Sequence, residues 1–351
     1  MLILLIGFSA NLFTNMGIAH TQNEFMPIYS GRNLDNFYWS SDSSRLVFQA
    51  RGFKVGVVLD NPDYFQYHVT LQTFTQTNVW PLQPTLSLQE EQVYQPYVYP
   101  EESIDYENEN DFMFLSPNQR FMIYITDPEN PSLAIADRQL VAAKQFDTLA
   151  GNTLETRFFF AMWGQDNKGV LVGNHPIQGD FPRYFYISNF ESDVQDATIQ
   201  ELPGIVDFGE ETYSTGTIRD INSDSTLLLT SSTSIESLTS GDEPDTRLAI
   251  FKALDMNIQT IFANTKVRKQ IIIAAAFDPE DEHYLLALTQ DGIQRYNTVA
   301  NTWTMLNPEI NSTWADYAQF SPDGRYIVIE DITDHSHSLS DVYVIDLTQI
   351  F

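Results

Sequence analysis

The chain has 351 residues and carries 18 basic against 47 acidic side chains, a net charge of −29, with no cysteine at all. The missing cysteines exclude disulfides, thiolate metal sites, a cysteine nucleophile and a lipidated cysteine. The charge repels phosphate backbones and anionic lipid, so nucleic acid is not expected as a partner, whereas cations and basic proteins or peptides are compatible with it, as is simple solubility in a salty or extracellular medium.

Residues 1–19 contain no charged side chain. The apolar run Leu2-Ile3-Leu4-Leu5-Ile6 leads to Gly17-Ile18-Ala19, a small-x-small pattern. This reads as a secretory signal peptide cut after Ala19, although it lacks the usual basic start; the alternative is an uncleaved N-terminal anchor. The expected location is therefore extracytoplasmic: secreted, periplasmic or at the cell surface. Beyond this segment no stretch is apolar for long enough to span a bilayer as a helix. Residues 20–351 read as one domain.

A phrase then recurs along the chain. It runs Trp39-Ser40-Ser41-Asp42-Ser43-Ser44-Arg45-Leu46, then Leu115-Ser116-Pro117-Asn118-Gln119-Arg120-Phe121, and finally Phe320-Ser321-Pro322-Asp323-Gly324-Arg325-Tyr326. Weaker copies start at Trp163, Ile221 and Phe277. A large residue ends one strand, a tight turn follows, and an apolar strand begins. Pro presets φ for the turn, and Gly accepts the left-handed position that closes it. Taking the large residues at 39, 115, 163, 221, 277 and 320, the intervals are 76, 48, 58, 56 and 43. Such spacing fits a four-stranded unit with loop insertions. The first interval is too long, and its excess falls in the acidic stretch from Gln83 to Asp111.

Third strands are predicted at Tyr184 to Ile187, Arg247 to Phe251 and Val342 to Ile345, and fourth strands at Tyr67 to Thr73 and Asn257 to Ile261. Short strands with frequent turns and little helical periodicity indicate an all-β chain. Six four-stranded units predict a six-bladed β-propeller, with seven blades the alternative if the first interval hides one more. The last unit stops after its third strand. The segment Phe25-Met26-Pro27-Ile28-Tyr29 is predicted to supply the missing strand and close the ring. The Ser-Pro-Asp-Gly-Arg turn followed by an apolar strand resembles the repeat of TolB-type, WD40-like bacterial propellers. The resemblance covers nearly the whole chain after about residue 25, is full only at Phe320, and implies the fold rather than a task.

In a propeller the first strand of each blade lines the axis. The loops before it share one face with the loops between the second and third strands. The long insertions, Gln83 to Asp111, Pro203 to Gly216, Ser231 to Asp245 and Asp331 to Asp341, fall on that face, where binding is expected. Four residues before each large residue stand Asp35, Asp111, Phe159, Thr217, Ile273 and Asp316. The three aspartates fall on adjacent blades and would attract a divalent cation or a basic side chain; the alternative is local pairing with backbone amides. Arg219, early in the fourth blade's first strand, is placed towards the channel. Asp331, Asp334, His335, His337 and Asp341 form a second candidate cation set, since His-x-His in an extended segment turns both rings to one side; the alternative is a solvated loop. Tyr94, Tyr97, Tyr99 and Tyr106, interleaved with carboxylates, suit recognition of a protein or sugar, or else anchor their loop. Trp39, Trp163 and Phe320 read as packing between blades.

The sequence carries no Gly-x-Ser-x-Gly elbow, no His-Glu-x-x-His and no phosphate-binding Gly loop. The reading is a non-catalytic exported propeller that binds a protein or peptide on its long-loop face, needing no certain cofactor. The alternative is a metal-assisted hydrolase or lyase at the channel mouth, with Asp35, Asp111 or Asp316 as base or ligand and Arg219 as an electrostatic partner. A self-assembling envelope component is a third reading.

Overall fold

The computed structural model describes residues 26–32, 34–50, 53–54, 57–58, 63–77, 84–96, 113–126, 132–146, 156–176, 183–208, 211–234, 246–253, 258–261, 272–281, 283–289, 291–310, 317–334 and 339–349. Its strands form six antiparallel sheets that succeed one another along the chain, the blades of a β-propeller, and one two-stranded hairpin. Blade 1 comprises Leu34–Trp39, Arg45–Ala50, Asp63–His68 and Thr73–Thr77. Blade 2 comprises Met113–Leu115, Phe121–Thr126, Ser132–Asp137 and Ala142–Gln145. Blade 3 comprises Thr156–Trp163, Gly169–Pro176, Arg183–Ser188 and Thr198–Glu201. Blade 4 comprises Glu211–Ile221, Leu227–Ser234, Thr246–Lys252 and Ile258–Ile261. Blade 5 comprises Ile272–Phe277, Tyr284–Thr289, Gly292–Asn297 and Thr302–Asn307. Blade 6 takes Tyr317–Phe320, Tyr326–Asp334 and Leu339–Asp346 from the end of the chain, and its fourth strand, Tyr29–Arg32, from the beginning.

That closing pair is antiparallel, with Tyr29 opposite Val342 and Arg32 opposite Leu339. It satisfies an edge that would otherwise be open. Tyr29 packs its ring against Phe48, Phe65 and Phe74 of blade 1. Glu330 of blade 6 accepts from the Leu34 N–H (3.0 Å) and the Ser340 hydroxyl (2.7 Å), joining the two blades through a buried carboxylate. A closing strand is thus present as expected, but it is Tyr29–Arg32, which overlaps the expected segment Phe25 to Tyr29 only at Tyr29.

The turn after each first strand explains the repeat. In blades 1, 2 and 6 the serine that follows the large residue accepts from the amide five positions on: Arg45 to Ser40, Phe121 to Ser116 and Tyr326 to Ser321, each at 2.9–3.0 Å. Asn222 does the same for Leu227 at 2.8 Å. The residue three positions after the turn's start is left-handed in five of the six turns: Ser43, Gln119, Asn167, Ser225 and Gly324, with φ between 57° and 66°. Gly324 and, less freely, Asn167 suit this conformation; at Ser43, Gln119 and Ser225 the side-chain hydrogen bonds hold the turn against its backbone preference. Neighbouring turns also bind each other. The Asn118 N–H donates to Asn167 (2.9 Å), the Asp323 N–H donates to Ser43 (3.0 Å), and the Ser225 hydroxyl donates to Asp166.

Alternation along the strands sends each blade's side chains to its two neighbours. Ile123, Ile125, Leu133 and Ile135 of blade 2 meet Val170, Val172, Phe185 and Ile187 of blade 3. Corresponding clusters join blades 3 and 4, 4 and 5, 5 and 6, and 6 and 1. The face of blade 2 turned away from blade 3 is covered differently. A short helix, Leu88–Tyr94, lies within the expected acidic loop and brings Tyr94 onto Met113, Met122 and Tyr124. A capping box between Ser87 and Glu90 starts this helix, and Glu90 also pairs with Arg138 at 2.7 Å. The helix and the hairpin Phe53–Lys54 with Val57–Val58 account for much of the long first interval, so no seventh blade is needed.

Three expectations are corrected. The fourth strand of blade 1 is Thr73–Thr77, because Val69 to Gln72 form the hairpin turn, with Gln72 left-handed. Pro203 to Gly216 is largely not loop: Ile205–Phe208 pairs with the first strand of blade 4 as a fifth strand. Asp331 to Asp341 is mostly strand, since the second and third strands of blade 6 extend to Asp334 and from Leu339. No helix among the described residues is long and apolar enough to cross a membrane.

Candidate functional site

The first strands of blades 3 to 6 touch in succession around the axis. The first strands of the ring enclose a cavity of about 270 Å³. Its wall includes Phe37 and Tyr317, stacked at 5.2 Å between centroids, with Phe114, Met162 and the small residues Ala274, Ala275 and Ala276. Small residues from blade 5 leave the room that bulkier ones would fill.

The first strands are not regular. Pairing with the second strand shifts between Leu34 and Phe37 in blade 1, between Phe158 and Phe160 in blade 3, and between Ile272 and Ala274 in blade 5. Blade 4 shifts twice, between Ser214 and Thr217 and between Ile218 and Asp220. These irregularities fall at or beside the aligned positions Asp35, Phe159, Thr217 and Ile273. An extra residue bends a strand and re-aims its side chains. At the second shift of blade 4 the extra residue is Arg219.

Arg219 and Asp220 both border the cavity, deep within the ring. Burial lowers the Arg219 pKa, and the nearby Tyr317 and Tyr184 act in the opposite direction. Burial likewise raises the Tyr317 phenol, which Arg219 partly offsets. Burial pushes Tyr184 up to about 12, against the pull of the Ile218 amide that it accepts. Asp220 accepts from the Ile221 N–H at 2.8 Å and, across the blade interface, from the Phe277 N–H at 2.7 Å. Burial nevertheless dominates and pushes its carboxyl up to about 8.

Three residues that line this cavity each keep a polar atom out of reach of solvent and without a hydrogen-bond partner: the indole N–H groups of Trp39 and Trp163 and the amide oxygen of Gln319. Trp39 is 9% exposed and Trp163 4%. Their rings do pack between blades, as the sequence suggests, but their donors remain unused. Indole N–H groups usually find a partner when buried.

Asp220 gives a pH-dependent prediction. Its folded pKa lies above the unfolded carboxylate value of 3.8. The folded state therefore retains a proton that the unfolded chain releases. The contribution to stability is complete below about pH 4 and declines towards pH 8 by at most about 1.4 kcal/mol per pH unit. Asp220→Asn mimics the protonated acid. Its stability in urea, relative to the native chain, should improve steadily from pH 4 to pH 8 and level off above; a difference constant with pH would refute the assignment.

The other sequence candidates are distributed as follows. Asp35 lies in the irregular part of blade 1's first strand, while Asp111 and Asp316 lie outside the described residues, as do Tyr97, Tyr99, Tyr106, His335 and His337. Tyr94 takes the anchoring alternative: it is 1% exposed, and its hydroxyl donates to the Asp137 carbonyl at 3.1 Å. Asp331 and Asp341 face each other across neighbouring strands of blade 6, and both push the nearby Tyr343 phenol up, after burial. Asp334 ends one of these strands. Among the described residues no group of three or more His, Asp or Glu side chains is placed to hold a metal ion. Asp220 and the unpaired indoles were not sequence candidates. A charged Arg-Asp pair inside a first strand was the one available signal.

No family profile matches the chain, and no curated protein does. Among solved structures it is similar to an oligogalacturonate lyase in complex with manganese, at 11% identity over 90% of each chain with a TM-score of 0.39. It is similar to a chain of the mitotic checkpoint complex at 12% identity over 97% of this chain and 99% of that one, TM-score 0.42. It is also similar to the GH74 xyloglucanase from Xanthomonas campestris, at 14% identity with a TM-score of 0.40, matching 88% of this chain to only 46% of the enzyme. None of these likenesses assigns the chain an activity.

Proposed function

We propose that the chain is an exported, non-catalytic propeller scaffold of the TolB-like, WD40-like kind that binds a protein or peptide partner, part of which enters the central channel at the end lined by Ser41, Ser321 and Pro322, opposite the long loops. The observation that carries this reading is the channel itself. It is a cavity of about 270 Å³ with an aromatic wall that Arg219, Asp220 and Gln319 also line, the combination of apolar lining and a few polar groups that marks a binding site. The interlocked turns supply a rigid frame for it. The net charge of −29 suits an extracytoplasmic medium and a partner with basic surface around the inserted part. The apolar N-terminal segment supports export.

Selection of random peptides displayed on phage should enrich a related set of sequences on the immobilised protein. Hydrogen exchange with an enriched peptide should then show protection in the first strands, at Tyr317–Phe320 and Ile272–Phe277. No enrichment, or protection confined to outer strands, would remove this reading. The hydrolase or lyase reading has one observation of its own: Asp220 holds a proton near neutral pH beside Arg219, a disposition compatible with general acid chemistry. Calorimetric titration with Ca²⁺, Mg²⁺, Mn²⁺ and Zn²⁺, repeated on a D35N/D111N/D316N variant, separates the metal-dependent form of it: that form needs saturable binding that the variant loses.

A further inference from the structure

The turns between first and second strands stand at one end of the central channel, where Ser41, Ser321 and Pro322 line it. Three positions after the large residue of each turn come Asp42, Asn118, Asp166, Asp224, Glu280 and Asp323, one from each blade. Five of these six are acidic and none is basic. Asp42, Asp224 and Glu280 are exposed, and Asp166 and Asp323 are half-buried. Asp42 and Asp323 directly follow the channel residues Ser41 and Pro322. Asp42 also borders a side recess of about 60 Å³ that shares Trp39, Ser41 and Phe114 with the channel. The aspartates shape their turns: one oxygen of Asp42, Asp224 and Asp323 accepts the N–H two residues on, at 3.1 Å in each case. Asn118 accepts the Arg120 N–H in the same way at 3.0 Å, so the turn needs the oxygen and not the charge. The arginines of these turns are held elsewhere. Arg120 pairs with Asp137 and Arg325 with Asp346, both on third strands. Positive charge is thus tied outward, and negative charge surrounds the mouth, where low-dielectric walls focus its field.

We propose that this end of the propeller is the docking surface for a basic segment of a partner protein, one in which an apolar side chain stands between lysines or arginines. The apolar side chain enters the channel, whose wall includes Phe37, Phe114 and Tyr317. The flanking cations stay at the mouth, in the field of Asp42, Asp224, Glu280 and Asp323. A cation does not follow into the channel, because Arg219 already lines its wall and like charges repel. The cavity lies just below the range of small-molecule sites, about 300–1,000 Å³, and suits one side chain rather than a folded element. An exposed ion pair contributes little by itself, so affinity depends on several mouth carboxylates acting together. The inference rests on the channel being the binding recess assigned above, and adds the chemistry of what fills it.

Selection of random peptides on phage, run in parallel on three proteins, tests it: the native chain, D42N/D224N/D323N and E201Q/D291N/E309Q. The first variant keeps the acceptor of each turn, as Asn118 does. The second removes the same number of charges from exposed positions at the opposite end of the blades. Peptides enriched on the native chain should carry lysine or arginine on both sides of one apolar residue. The strongest of them, synthesised and titrated by calorimetry, should bind less tightly as NaCl is raised. The D42N/D224N/D323N variant should bind it at least about tenfold more weakly and with a flatter salt dependence, and E201Q/D291N/E309Q should stay within about twofold of the native chain. Alanine in place of the peptide's apolar residue should weaken it by about tenfold or more. The single replacements D42N, D224N and D323N, each expected to cost about two- to threefold, keep the test open where the triple variant does not fold. Selected peptides without the basic excess, equal affinity for the native chain and D42N/D224N/D323N, or equal losses in both triple variants would overturn the proposal and leave the scaffold reading intact. Absence of any enrichment would overturn both.

Discussion

Replacing Asp137 with alanine is expected to destabilise the protein by about 3–5 kcal/mol, the cost of leaving one partner of a buried ion pair alone. Asp137 ends the third strand of blade 2, and its side chain is fully buried. One carboxylate oxygen takes two bonds from Arg120, at 3.0 and 2.6 Å, and the other takes the N–H groups of Gln139 and Leu140. Its backbone carbonyl receives the Tyr94 hydroxyl, which fastens the helix over the blade. The substitution orphans two amides and a guanidinium that is only 26% exposed. Burial pushes the Asp137 carboxyl up, but Arg120 and the two amides outweigh it and hold it below the ordinary value. The pair therefore stabilises fully above about pH 4 and loses its effect as pH falls through the depressed folded pKa. Urea titrations at pH 7 and at pH 3 should show the gap between Asp137→Ala and the native chain shrinking in acid. Asp137→Asn should fall between, since it keeps the shape and loses the charge. A loss below 1 kcal/mol at pH 7 would show that the pair is energetically idle.

Removing residues 1–32 is expected to do more damage than any single substitution. It strips Leu339 to Val342 of their outer partner and exposes that edge to other chains. It also uncovers Phe48, Phe65 and Phe74, against which Tyr29 packs. The truncated chain should either fail to fold or associate into soluble oligomers, seen as a concentration-dependent increase in mass by light scattering. A synthetic peptide of residues 26–33 added in excess should reduce that association. A truncated chain that remains monomeric with an unchanged thermal midpoint would show that the closing strand is dispensable.

The part of the fold legible in the sequence is the part encoded by local bonds. Ser321, Asp323 and Gly324 make a turn from contacts within six residues, so their pattern survives in the string of letters. Ser40 and Asn222 make the same turn with different residues, and the weaker copies were still recognisable. The closing strand was legible because the last blade lacked one. Other features depend on distant partners. The capping box at Ser87 and Glu90 could have announced a helix, but the acidic surroundings suggested a long insertion of the binding face. The burial of Tyr94 is decided by blade 2, which lies elsewhere in sequence. Strand irregularities leave no letter pattern, so Arg219 could be placed near the axis but Asp220 could not be singled out. For Trp39 and Trp163 the sequence indicates packing of the ring; whether the N–H finds an acceptor depends on how several blades meet.

The way the ring is closed also sets how it yields to tension. At the joint, Tyr29 lies opposite Val342, and the final strand runs on past that point to Asp346. The two chain ends therefore leave the joint on the same side. A pull applied between them loads the bonds one at a time, beginning with the Ile28 N–H to the Val342 carbonyl and passing on to the Tyr29 pairing. Bonds broken in sequence resist far less than bonds sheared together. Blades 1 to 5 are each made of contiguous chain and need no such joint to hold their own strands. Under load the protein should first peel open at blade 6, becoming an open arc of blades before any one of them is pulled apart.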